Sequence, residues 1–85
     1  MKFRKKPIVV EAWHFAKGSK APSWVIAAAS FIEISLDGEV VGRIRLETLE
    51  GTMTAQPGDW IVRGVKGEVY SVQPDIFEAT YEPVP

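Results

Sequence analysis

The stretch PGDWIVRGVKGEVY, residues 57–70, sets two cations, Arg63 and Lys66, beside two glycines, Gly64 and Gly67. Glycines let a ligand approach backbone amides, and a guanidinium with an ammonium on the same rim holds a phosphate or a carboxylate. The spacing is too short for a nucleoside-triphosphate loop, which needs Gly-x-x-x-x-Gly-Lys-Ser/Thr leading into a helix. A tight hairpin with a binding rim is the expectation, with Arg63 and Lys66 as charge contacts and Trp60 and Tyr70 as aromatic support.

No comparable pattern supports catalysis. His14 is the only side chain that titrates naturally near neutral pH, and between Trp13 and Phe15 it reads as a packed strand residue. Ser19, Ser23, Ser30, Ser35 and Ser71 lack the surroundings of a nucleophile elbow. Asp75 and Glu78 are three apart, but a helix cap and a solvated charge explain them. With no cysteine and one histidine, a structural zinc site of the usual kind is excluded, and no catalytic residue, metal or cofactor is assigned.

Charge narrows the partners. Ten Lys and Arg against eleven Asp and Glu give a net charge of −1, which disfavours phosphate-backbone binding. The distribution is uneven: Lys2, Arg4, Lys5 and Lys6 form a basic run, whereas from Glu68 onward only Glu68, Asp75, Glu78 and Glu82 carry charge. The two ends are suited to attract each other or to face partners. Aromatic and basic neighbours, Trp13 with Lys5 and Lys6 or Tyr70 with Arg63 and Lys66, would suit a single-stranded nucleic-acid platform, which the charge balance makes the weaker reading. No apolar run approaches the roughly 20 residues of a membrane span, and Pro7 and Glu11 interrupt the apolar segment a signal peptide requires. A cytoplasmic protein without membrane association is expected.

The elements that position these residues are short. Residues 7–15, PIVVEAWHF, predict a strand with Val10, Ala12 and His14 on one face and Val9, Glu11 and Trp13 on the other. Ser23 predicts the cap of a helix of about two turns through the alanines 27–29, a strand from Trp24 being the alternative. Ile32, Ile34 and Leu36 alternate with polar residues up to Asp37-Gly38, which predicts a type I′ hairpin, a bulge at Gly42 and a return strand with Ile44 and Leu46 facing inward. Gly51 marks a second turn, and Pro57-Gly58 a type II turn. The strand that follows carries Trp60 and Val62 on one side and Ile61 and Arg63 on the other, with Trp60 expected in the core. Asp75 predicts one helical turn burying Ile76, Phe77 or Tyr81. The sum is a single α+β domain, residues 1–85, mainly antiparallel sheet, curled into a small half-open barrel with one short helix; an open curved sheet is the alternative.

MKFRKKPIVVEAW at the start and LETLEGTMTAQPGDWIVRGVKGEVYSVQPDIFEATYEPV near the end resemble a widespread group of small proteins of tailed bacteriophages and prophages with no assigned function. The likeness covers more than half of the chain; Val69 and Ser71-Val72 depart from the aromatic and Pro-Cys of that group. It implies phage origin and a place in the host bacterial cytoplasm, and no activity. Given that origin, the expected function is a non-enzymatic accessory protein that binds a host protein and inhibits or modulates a host enzyme or defence complex. The alternative is sequestration of a small anion or nucleotide signal, with a pocket formed between subunits of a homo-oligomer.

Overall fold

Three hairpins and one long-range pairing build the sheets. The computed structural model describes residues 1–4 and 6–85; Lys5, part of the basic run, lies outside the described residues. The elements run β1 (Glu11–His14), α1 (Ser23–Ala28), β2 (Ala29–Ile34), β3 (Val40–Thr48), β4 (Gly51–Ala55), β5 (Trp60–Arg63), β6 (Val69–Val72) and α2 (Pro74–Thr80). They build two three-stranded sheets, β1-β5-β6 and β2-β3-β4, in which every pair is antiparallel. The expected antiparallel α+β architecture is present. The sheets are not closed into a barrel, and α2 adds a second helix.

Alternation along β3 fixes the core. Ile44 and Leu46 are fully buried while Arg43, Arg45 and Glu47 face water, as a period of two requires. Phe15, Val25, Val40, Ala55 and Ile61 complete one apolar cluster that draws on both sheets and α1. Each such burial is worth roughly 1.5–3 kcal/mol for a large side chain. Trp60 does not join this cluster. Its strand contributes Ile61 to the cluster, and Trp60, one residue earlier, must face the opposite side of the sheet with Val62, which is itself fully buried there.

Several local expectations resolve differently for identifiable reasons. The 35–39 turn is not type I′: the Gly38 amide donates to the Ser35 carbonyl at 2.9 Å and only Gly38 has positive φ, at 85°, giving a three-residue loop with Gly38 as the left-handed bulge position. That loop turns Leu36 into solvent instead of the core. The bulge at Gly42 is present, and five residues of β3 (40–44) oppose three of β2 (32–34). Helix α1 starts after Pro22, with Ser23 already helical and making no capping bond, and it is shorter than two turns because the chain enters β2 directly at Ala29. Strand β1 is shorter than expected as well. Its partner β5 ends at Arg63, where the Gly64 amide turns back to the Glu68 carbonyl at 2.8 Å, so Pro7–Val10 have no strand to pair with.

Candidate functional site

The 57–70 corner is built from two turns. The Asp59 amide donates to the Gln56 carbonyl at 3.0 Å across Pro57 and Gly58, whose φ of 105° fits the third position of a type II turn. The Asp59 carboxylate accepts the Gln56 amide at 3.0 Å and closes the turn from inside. The turn is pinned to β1: the Gly58 amide donates to the Phe15 carbonyl at 2.6 Å, the Phe15 amide to the Asp59 carbonyl at 2.9 Å, and His14 Nε2 to the Gly58 carbonyl at 3.2 Å. His14 therefore holds a backbone turn, with its ring lying on Trp60.

The second turn, residues 64–68, does not present two free cations. Arg63 forms an ion pair with Glu11 across the β1–β5 pair, and its guanidinium lies over the Trp24 ring, 5.1 Å from the centroid. Lys66 is exposed at the tip, and its amide donates to a Glu68 carboxylate oxygen at 3.0 Å. Glu68 itself folds over Gly64, where its side chain occupies the space a Cβ would need. A hollow of about 490 Å³ lies beside this corner, between Val9, Glu11, Arg63 and Gly67. Of the anion-holding rim expected from the sequence, Arg63 is engaged by Glu11 and the Lys66 amide by Glu68, while the Lys66 side chain is exposed.

Trp60 and Tyr70 belong elsewhere. Arg63 pairs with Val69, and Val62 with Tyr70, so the period of two puts Arg63 on the core side of the sheet and Trp60, Val62 and Tyr70 on the outer side. The four expected site residues are divided between two faces and a turn tip.

On the outer face the structure assembles a site that sequence patterning does not reveal. The rings of His14, Trp60, Phe77 and Tyr81 stack in series, with centroid separations of 4.6, 4.0 and 4.9 Å and interplanar angles of 13°, 5° and 23°. Phe77 and Tyr81 are four apart, which brings them to one side of α2 as it ends. The Tyr70 and Tyr81 hydroxyls meet at 3.1 Å. Burial, this hydrogen bond and the nearby Tyr81 and Glu68 push the Tyr70 phenol up to about 12.

Between this aromatic ladder and the segment Lys6–Val10 lies an open groove of about 1190 Å³. Its lining combines Ala12, Trp60, Tyr70, Phe77 and Tyr81 with the carboxylates of Glu68, Glu78 and Glu82. Lys6 is the one cation in that lining among the described residues. An apolar floor with an acidic rim fits a ligand that offers apolar side chains and positive charge. The only sequence signals for it were the aromatics of WIVR and PDIFEATY and the acidic run that begins at Glu68, and these converge only once α2 is laid on the sheet.

No helix among the described residues is long and apolar enough to cross a membrane. Comparisons with protein-family models, with curated proteins and with solved structures return no match.

Proposed function

We propose that the chain is a non-enzymatic binding protein that captures a segment of a partner protein in the groove between the His14-Trp60-Phe77-Tyr81 ladder and residues 6–10. The observation that carries this reading is the groove itself: half-buried aromatic rings, held rigid by stacking, beside an acidic rim. Rigid aromatics contribute large contact area at low entropic cost and dominate binding hot spots. Its volume, about 1190 Å³, exceeds the roughly 300–1,000 Å³ of small-molecule pockets and suits a length of polypeptide.

The resemblance to phage proteins supplies the setting of this proposal: an accessory protein acting in the host bacterial cytoplasm on a host enzyme or defence complex. Sequestration of a small anion is the less favoured reading, because Glu68, Glu78 and Glu82 repel an anion from the groove and Arg63 is engaged by Glu11.

The test fills the groove without removing any stacking contact. Ala12 is exposed on the outer face of β1 and lines the groove. Ala12→Trp, with its fold checked by circular dichroism, abolishes co-purification of the host partner from a bacterial lysate, whereas Lys66→Ala retains it. Retention by Ala12→Trp, or loss with Lys66→Ala, overturns the assignment.

A further inference from the structure

Residues 1–10 carry the chemistry that the groove asks for. Met1 and Phe3 are 108% and 88% exposed, so neither packs on its own chain. In residues 1–4, Lys2 and Arg4 alternate with them, and in an extended backbone that alternation puts Met1 and Phe3 on one side and the two cations on the other. Laid in the groove, such a strand presents apolar side chains to the Trp60, Phe77 and Tyr81 floor and cations to Glu78 and Glu82 on the rim. The root of the same segment, Lys6–Val10, already forms one wall of its own groove. Residues 1–4 are not part of that lining, and six residues of extended chain have a reach of roughly 20 Å at about 3.3 Å per residue.

We propose that the free protein is a symmetric dimer in which each copy lays its residues 1–6 in the groove of the other. The inference rests on the groove being a docking surface, and it names the resting occupant that a partner protein must displace. Charge complementarity selects a second copy: the basic segment and the acidic rim belong to one sequence, and a two-fold axis satisfies both at once. The same chemistry specifies what a competing partner segment offers, an extended stretch with apolar residues alternating with Lys or Arg.

The experiment is a charge swap read by native mass spectrometry and sedimentation of the full chain. One variant carries Lys2→Glu, Arg4→Glu and Lys6→Glu; the other carries Glu78→Lys and Glu82→Lys. All five sites are exposed, so the folds persist. The unaltered protein is expected to be a dimer that dissociates as salt is raised. Each variant alone, with like charges on segment and rim, is expected to be a monomer, and an equimolar mixture is expected to form a one-to-one heterodimer. A monomeric unaltered protein, variants that remain dimeric, or a mixture that does not pair would each overturn the exchange. The docking reading is judged separately, by the partner lost or kept in Ala12→Trp. A monomer that still loses its partner in that variant contradicts only the exchange, and a charge-swapped heterodimer whose partner ignores Ala12→Trp contradicts only the host-partner reading.

Discussion

The Trp60 indole and the Phe77 ring lie parallel, 5° apart in plane and 4.0 Å between centroids, and this contact attaches α2 to the sheet β1-β5-β6. Helix α2 has seven residues and none of them is fully buried. An isolated helix of that length is unstable in water, so its placement depends on the ladder and on the Tyr70–Tyr81 pair. Phe77→Leu, which keeps apolar bulk and removes the ring, should cost about 1 kcal/mol, and Phe77→Ala about 2 kcal/mol. Denaturant unfolding followed by tryptophan fluorescence measures both, and the Trp60 emission should shift toward that of a solvated indole.

Arg63 is a structural cation. Its ion pair with Glu11 and its position over Trp24 are both partly solvated, and together they stabilise by about 1 kcal/mol. Arg63→Ala should lower the thermal midpoint by an amount consistent with that loss, while partner capture persists. Loss of capture with an unchanged melting curve would return the site to the 64–68 turn.

Gly64 and Glu68 are coupled through space. A Cβ at Gly64 meets the Glu68 side chain, and relief requires Glu68 to leave the Lys66 amide it accepts from. Gly64→Ala alone should therefore destabilise by about 1 kcal/mol, and in a Glu68→Ala background the same substitution should be near neutral, because φ at Gly64 does not require glycine. A double-mutant cycle in urea reads this directly.

Tyr70 titrates late, at about 12 against 10.0 for a free phenol. The protonated form is favoured in the folded state, so the stabilisation is complete below pH 10 and is lost as pH rises from 10 toward 12, where the unfolded chain ionises first. Phenolate absorbance of the folded protein should show one retarded tyrosine. Tyr81→Phe should bring it down toward the ordinary value, since burial remains but the hydroxyl partner and its charge are gone.

Much of the framework was legible because it rests on local rules. Alternation in RIRLETL predicted which side of β3 is buried, and Pro57-Gly58 predicted the turn that pins β1. The fate of Leu36 was not legible, because whether Asp-Gly closes a two-residue or a three-residue loop depends on the register of β2 against β3. Trp60 shows the larger limit. Alternation separated it from Ile61 but did not say which face meets the second sheet, and aromatic size pointed to the wrong one. The groove was out of reach for the same reason: Phe77 and Tyr81 lie 17 and 21 residues from Trp60, and only the docking of α2 brings them together.

The central claim is that partners meet this protein at the outer aromatic groove. Site-specific photo-crosslinking in bacterial cells tests it most directly, with the photoreactive residue at Thr80, which lines the groove, at Lys66 on the turn tip, or at Thr54, exposed on β4. The account predicts a discrete adduct with a host protein from position 80 and none from 54 or 66. An adduct from position 66 or 54 with none from 80 would contradict it.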